Sequence, residues 1–241
     1  MIYITGDLHG FQDKWNQEID PRLSPGDILI IAGDVGIGLM KKEETFWDTV
    51  AAREYTVLFI DGNHENFAKL NALPVEEWHG GRVHFLRKNV IHLMRGEVYE
   101  LEGKKIFTFG GGYSIDRYVR VNGKSWWPDE MPSEDEYARA EENLQRCGRQ
   151  VDYIITHTAP SETIHYLSTY KLYGVKKAVR EELPLNFFLD HIYESVQYRH
   201  YYFGHFHVDL ELWREQTAIF SCIRELESGK MVHEWNYYEW F

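Results

Sequence analysis

Short apolar runs alternate with longer polar or amphipathic stretches in the first part of the chain. The runs cover residues 2–5, 27–32 and 56–60, and each has the length of a β-strand. The stretches between them are long enough to form helices. Strands that alternate with helices in this way predict a layered α/β fold.

A second group of apolar runs follows, with shorter connections. We predict strands over residues 83–86, 91–101 and 104–111, the last two joined by a turn around Gly103. This close spacing is typical of antiparallel strands. The middle of the chain is therefore expected to form antiparallel sheet.

The periodicity breaks in residues 112–132, where Gly, Asn, Pro and two adjacent tryptophans predict a long aromatic and cationic loop. Ser133 is the expected N-cap of the helix that follows. Residues 161–199 are predicted to be a mainly helical insertion, with an aromatic and basic surface tract that includes Tyr166 and Lys177. Further strands are predicted over residues 151–156, 200–204, 217–223 and 230–235.

Composition and charge limit the kinds of protein that this chain is expected to be. With 241 residues, 44% of them hydrophobic and 27% charged, the chain is expected to fold as one domain over residues 1–241. A net charge of −12 argues against a broad surface for duplex nucleic acid. Cys147 and Cys222 have no CxxC spacing and are expected to be free thiols. The first apolar run is too short for a signal peptide or membrane span, so a cytoplasmic protein without membrane partners is expected.

Acidic, amide and imidazole side chains recur where predicted strands end, which is where ligands gather in open α/β sheets. Each short motif alone is more typical of a turn, but together they indicate a metal site. Imidazole and oxygen ligands without thiolates suit Mn, Fe or Zn. In chain order these residues are Asp7, His9, Asp34, Asn63, His64, His157, His205 and His207.

His205 and His207 are separated by one residue. If the strand before them continued, both rings would face the same side of the sheet. A packing role is the commoner one for histidines at such positions. With a metal site nearby, both rings would instead face that site.

Taken together, these motifs resemble those of the calcineurin-like metallophosphoesterases. The resemblance extends over residues 7–207 and implies a four-layer αββα sandwich of two mixed sheets flanked by helices, holding two metal ions. The family pattern of DxH, GD, GNH[D/E], H and GHxH is met by Asp7-Leu8-His9, Gly33-Asp34, Gly62-Asn63-His64-Glu65, His157 and Gly204-His205-Phe206-His207.

The resemblance also implies a role for each matching residue. Asp34 would bridge the two metals and His64 would act on the substrate, so both are the predicted catalytic residues. Two divalent ions are implied, with Mn²⁺ favoured and Fe or Zn left open. The predicted ligands are Asp7, His9 and His207 for the first metal and Asn63, His157 and His205 for the second.

The chain departs from the serine/threonine phosphatases of this superfamily at two positions. Ile37 and Asp61 stand where those enzymes carry an acid and a phosphate-binding arginine. A cation for the substrate would have to come from elsewhere, and the loop at 112–132 is the best source. There Arg117 and Arg120 can engage phosphate while Trp126 and Trp127 stack on an organic group. The alternative is that the tryptophans pack the loop onto the core.

These residues predict a metal-dependent hydrolase of small phosphate esters, acting through a metal-activated water. Phosphomonoesters, including small nucleotides, are slightly favoured over the alternative of a phosphodiesterase or nuclease. A non-catalytic binding scaffold on the same fold is a weaker alternative, because every ligand position of the pattern is present. The substrate itself and homo-oligomer formation stay open.

Overall fold

Two β-sheets stack face to face in the computed structural model, which describes residues 1–170 and 180–236. The larger sheet is, from edge to edge, β14 (Met231–Glu234), β13 (Cys222–Glu225), β1 (Ile2–Thr5), β2 (Ile28–Ile31), β3 (Thr56–Phe59), β6 (Val90–Leu93), β5 (Gly81–Arg87) and β4 (Val75–Trp78). The smaller sheet is β11 (Leu210–Glu211), β12 (Gln216–Ala218), β10 (His200–Phe203), β9 (Tyr153–Thr156), β8 (Lys104–Phe109) and β7 (Glu97–Leu101).

Each sheet has a parallel centre and antiparallel edges. In the larger sheet β1, β2, β3 and β6 are parallel, and in the smaller sheet β8, β9, β10 and β12 are parallel. Parallel strands of one sheet end at the same edge, so the residues that follow them are brought together. Both sheets are mixed, as the sequence predicts.

Helices cover the outer face of each sheet. The larger sheet carries α1 (Gln12–Lys14), which continues as a π-helical turn (Trp15–Ile19) and a 3₁₀ turn (Asp20–Arg22), together with α2 (Glu43–Ala51) and α3 (Phe67–Asn71). The smaller sheet carries α4 (Glu134–Arg146), α5 (Ser161–Thr169) and α6 (Leu183–Ser195). Among residues 1–170 and 180–236, no helix combines the length and apolarity that crossing a membrane requires.

The central strands are apolar on both faces because both faces are buried. In β2, Ile30 points between the sheets, while Leu29 and Ile31 point at the outer helices. Burial of each such side chain contributes about 1.5–3 kcal/mol. The αββα arrangement with apolar layers between helix and sheet confirms the fold class expected from the sequence.

Two predicted strands are wrong in their extent. The run 91–101 is broken after Leu93, so that β6 belongs to the larger sheet and β7 to the smaller one. The run 217–223 is likewise divided between β12 and β13, which lie in different sheets. Each crossing is three residues long and contains one polar side chain, Arg95 or Ser221, so hydrophobicity alone did not reveal it.

The predicted helix cap is confirmed. Ser133 Oγ accepts a hydrogen bond from the Glu136 backbone N–H, and Glu136 Oε2 accepts one from the Ser133 backbone N–H at 2.7 Å, which completes a capping box. Residues 161–199 are helical over α5 and α6. The part of the predicted basic tract that includes Lys171, Tyr173, Lys176 and Lys177 lies outside the described residues.

Gly96 makes the first crossing possible. Its φ is +77°, and a Cβ placed on it would lie 2.9 Å from Ala140 Cβ in α4. Gly103 has a similar φ of +73° but no atom near the position of a Cβ. The two glycines therefore share a backbone requirement and differ in packing.

We expect Gly96→Ala to destabilise the metal-free protein more than Gly103→Ala does. The left-handed backbone costs either alanine about 1–2 kcal/mol. The contact with Ala140 adds about 1–3 kcal/mol for Gly96→Ala. Urea unfolding followed by circular dichroism measures both losses, and equal losses would contradict this account of the crossing.

Candidate metal centre

The predicted metal ligands converge at one edge of the sandwich, at the carboxyl ends of the parallel strands. Asp7, Asp34 and Asn63 follow β1, β2 and β3 of the larger sheet. His157 and His205 follow β9 and β10 of the smaller sheet. The two sheets thus contribute opposite sides of one site.

Asp7, His9 and His207 form one group whose ligand atoms all lie within 4.8 Å of one another. His207 Nε2 is 3.2 Å and His9 Nε2 is 3.5 Å from Asp7 Oδ2, and the two Nε2 atoms are 2.8 Å apart. Asp7 Oδ2 is buried and accepts no hydrogen bond from the described part of the chain. A buried carboxylate oxygen facing two imidazoles is a donor set that a divalent cation would satisfy.

Asp34, His157 and His205 form a second such group. His157 Nε2 is 3.3 Å from Asp34 Oδ1 and 3.2 Å from Asn63 Oδ1. Asn63 therefore adds an amide oxygen to this group. The donor set suits a second divalent cation.

Asp34 lies between the two groups. Its Oδ1 faces His157, while its Oδ2 is 3.8 Å from His9 Nδ1 and 3.9 Å from His64 Nε2. A carboxylate with one oxygen toward each group is placed as a bridge requires. The structure thus brings together all seven predicted ligands and His64.

His205 and His207 do not lie on the strand from which we derived their orientation. β10 ends at Phe203, and both histidines have left-handed backbones, with φ of +67° and +53°. Their rings nevertheless fall into different groups, His205 with Asp34 and His207 with Asp7. The strand-face argument is wrong, although the assignment of one ring to each metal, which the resemblance implied, agrees with the geometry.

Four residues of this site have strained backbones. His9 and Asp34 also have positive φ, at +52° and +50°. A non-glycine residue in this conformation costs about 1–3 kcal/mol and persists only where its surroundings impose it. Here the strain turns side chains from separate loops toward one point.

Two glycines permit the close approach of loops from opposite sheets. A Cβ on Gly33, whose φ is +95°, would lie 2.2 Å from His157 Nδ1. A Cβ on Gly204 would lie 2.4 Å from Asp7 Oδ1. Any larger side chain at either position would push a predicted ligand aside.

Hydrogen bonds outside the ligand set decide which atom each ligand presents. His157 Nδ1 donates to the Ala32 carbonyl at 2.8 Å, which leaves Nε2 for a metal. Asn63 Nδ2 donates to Ser114 Oγ at 3.1 Å, which leaves Oδ1. The sequence motifs did not point to Ser114, because it lies in the irregular loop at 112–132.

Asp61 and Glu65 hold the loops that carry the ligands. Asp61 Oδ2 accepts hydrogen bonds from Arg95 Nε and Nη2 at 2.8 and 2.6 Å, and His92 Nε2 is 3.1 Å from Asp61 Oδ1. Glu65 accepts the backbone N–H groups of Val35 and Ile37, which follow Asp34 in the chain. The acid at position 61 is thus neutralised by Arg95 and serves as an anchor.

The predicted substrate loop begins against this site. A Cβ on Gly112 would lie 3.2 Å from His157 Cδ2. Arg120 is held by Asp116, with both Nε and Nη2 2.7 Å from the two carboxylate oxygens, and Arg117 lies over the Tyr113 ring at 4.6 Å.

The two tryptophans of this loop are less exposed than its residues Tyr118 and Val119. Trp127 is 6% exposed and Trp126 is half-buried. Tyr118 and Val119 are 84% and 69% exposed. The apolar groups that this loop presents to solvent therefore include Tyr118 and Val119, which the sequence did not single out.

Burial and neighbouring charges set the protonation states of the predicted ligands. Burial raises the pKa of Asp7 and Asp34, but neighbouring histidines outweigh it, and both carboxyls lie below their usual range. Burial lowers the pKa of His205 to about 3, so its ring is neutral. Burial also opposes charge on His157, yet the Asp34 carboxylate dominates and raises its pKa to about 10.

Metal binding to the metal-free protein is therefore expected to release a proton from His157. Below pH 10 its imidazole is protonated, and a ligand must be neutral, so apparent affinity should rise with pH toward that value. Calorimetric titration with Mn²⁺ in buffers of different ionisation heat counts the protons. His157→Asn should release about one proton fewer than the unaltered protein when metal binds. His205→Asn removes a neutral ring and should leave the number of released protons unchanged. The reverse result would contradict the assignment of the proton to His157.

Comparison with known proteins agrees with the site. A comparison with curated protein sequences returns no match. The family model for calcineurin-like phosphoesterases matches residues 1–209, which contain every predicted ligand. The members of this family are metal-dependent phosphoesterases that use a dinuclear centre. The chain belongs to the calcineurin-like phosphoesterases.

Proposed function

We propose that this phosphoesterase hydrolyses small phosphate monoesters and uses two divalent metal ions to do so. Mn²⁺ is the favoured metal. The supporting observation is the position of Asp34 between two ligand groups, with His64 beside it. When bound, two cations supply positive charge for the phosphate and an activated water for in-line attack on phosphorus. In this proposal Asp7, His9 and His207 would hold one ion, Asn63, His157 and His205 would hold the other, and Asp34 would serve both.

His64 is assigned to the substrate. Its backbone N–H donates to Asp34 Oδ1 at 2.8 Å, which ties the loop to the bridging carboxylate. Its side chain stays 23% exposed, while that of Asp34 is 2% exposed. A partly open imidazole beside the bridge can donate an N–H to a phosphate oxygen or protonate the leaving oxygen.

Charge and the loop at 112–132 bear on the type of ester. A net charge of −12 disfavours long polyanions. Arg120 is paired with Asp116 and Arg117 with Glu181 at 3.6 Å, so a phosphate would compete with these acids for the cations of the loop. A phosphodiester with a second organic group is the alternative, and the exposed Tyr118 and Val119 favour it. Trp126, which is half-buried, keeps its proposed role of stacking on the organic group. The 6% exposure of Trp127 favours the alternative that it packs the loop onto the core.

We further propose that the protein works in a reducing compartment such as the cytoplasm. Cys147 and Cys222 are both free, and Cys222 is buried. A small phosphate ester is the proposed partner. The presence of all seven ligand residues argues against a non-catalytic scaffold.

The first test supplies Mn²⁺, Fe²⁺, Zn²⁺ or Mg²⁺ to the metal-free protein and measures hydrolysis of p-nitrophenyl phosphate and of its bis ester. Faster hydrolysis of the monoester, with Mn²⁺ most effective, is the expected result.

His64→Ala should lower kcat about 10²-fold or more while two ions stay bound. His165→Ala, which removes an exposed histidine in α5, is the control and should keep full activity. Full hydrolysis by His64→Ala or Asp34→Asn would contradict the proposed roles.

A second test concerns the substrate loop. Arg117→Ala and Arg120→Ala are each expected to raise KM for phosphate substrates, because each removes a cation near the site. Arg146→Ala is a matched control for Arg120→Ala, since Arg146 also pairs with an acid four residues earlier but lies in α4. Unchanged KM values in both loop variants would remove this loop from substrate binding.

A further inference from the structure

Lys14 is a buried cation for which the sequence motifs assign no role. It stands in α1, directly after the loop that carries Asp7 and His9, and is 3% exposed. Transfer of an ammonium group out of water is costly unless polar partners replace the water. Its surroundings must therefore supply specific contacts.

Those contacts come from the backbone of a predicted metal ligand and from two aromatic rings. Lys14 Nζ donates to the Asp7 carbonyl oxygen at 2.6 Å. It also lies 5.2 Å from the centroid of the Phe220 ring and 4.9 Å from that of the Trp235 ring, within the range of cation–π attraction. Within residues 1–170 and 180–236, Lys14 forms no ion pair with a carboxylate. Its charge is thus stabilised by the elements that surround the first ligand group.

Phe220 connects Lys14 to a second ligand of the same group. The Phe220 ring stacks on the His207 ring, with centroids 4.5 Å apart and planes inclined by 14°. The segment that carries Phe220 is fixed by Asp209, which accepts the backbone N–H groups of Phe220 and Ser221 at 2.8 Å each. Lys14 therefore contacts the main chain of Asp7 directly and reaches His207 through one ring.

We propose that Lys14 is a positioning residue for the metal held by Asp7, His9 and His207. The proposal rests on the assignment of these residues as metal ligands. Loss of the ammonium would leave the buried Asp7 carbonyl without this donor and would remove the cation that Phe220 and Trp235 enclose. The Asp7 carboxylate and the His207 ring would then lose their fixed positions. The group of Asn63, His157 and His205 makes no such contact with Lys14 in the described structure, so the effect falls on one metal.

The test measures metal binding rather than hydrolysis. Lys14→Met removes the charge and the donor at similar length, and Lys14→Gln keeps an N–H donor without the charge. Lys104→Met is the control, because Lys104 also makes one polar contact, with Glu227 Oε1 at 2.9 Å, and does not contact the site. Equilibrium dialysis of Mn²⁺ against the metal-free proteins gives the two affinities, and electron paramagnetic resonance reports the coupled ion pair.

In Lys14→Met, one Mn²⁺ should bind about 10–100-fold more weakly, the range for residues that orient metal ligands, while the other binds normally. The spin-coupled signal should give way to that of an isolated ion and return at high Mn²⁺. Lys14→Gln should lie between Lys14→Met and the unaltered protein, and Lys104→Met should match the unaltered protein. If Lys14→Met does not fold without metal, Lys14→Gln carries the test.

Normal binding of both ions by a folded Lys14 variant would overturn the proposal, as would equal weakening of both ions. Unaltered protein that fails to bind two ions would overturn it together with the ligand assignment. Unaltered protein that binds two Mn²⁺ ions but hydrolyses no phosphate ester would contradict the proposed function alone. The role of Lys14 would then still be decided by the two affinities.

Discussion

The buried carboxylate of Asp34 is the group on which the site depends. It has been removed from water, which costs several kcal/mol for an uncompensated charge. Compensation comes from His157 on one side, His9 and His64 on the other, and a backbone N–H. Because these partners follow strands of both sheets, the carboxylate is satisfied only when the sheets are stacked in this register.

The second feature of the site is the support behind each ligand. Ser114 orients the Asn63 amide, the Ala32 carbonyl sets the His157 tautomer, and Arg95 holds Asp61 at the base of the Asn63 loop. These partners fix positions that the ligands could not hold alone, since several ligands have strained backbones. Such support matters in a dinuclear site, where each ion needs its donors at defined distances.

The substrate loop illustrates how the sequence can identify a segment and misplace its parts. Aromatic and cationic composition marked residues 112–132, and the loop does begin against His157. Composition could not tell that Trp127 is buried while Tyr118 is exposed, because both are aromatic and the difference arises from how the loop folds back. Similarly, the Asp116–Arg120 pair depends on a turn that hydrophobic periodicity does not report.

Period and spacing in the sequence determined the layered α/β class, most strand positions and the helix cap at Ser133. They also identified the predicted ligands that the structure brings together. These features are local, or repeat at strand ends, so neighbouring residues carry the signal. The tertiary structure alone decided that residues 91–101 cross between sheets, that His205 and His207 lie beyond their strand, and that Lys14 is buried behind Asp7. Each depends on contacts between segments distant in the chain, such as Lys14 with Phe220 and Trp235, which no local pattern encodes.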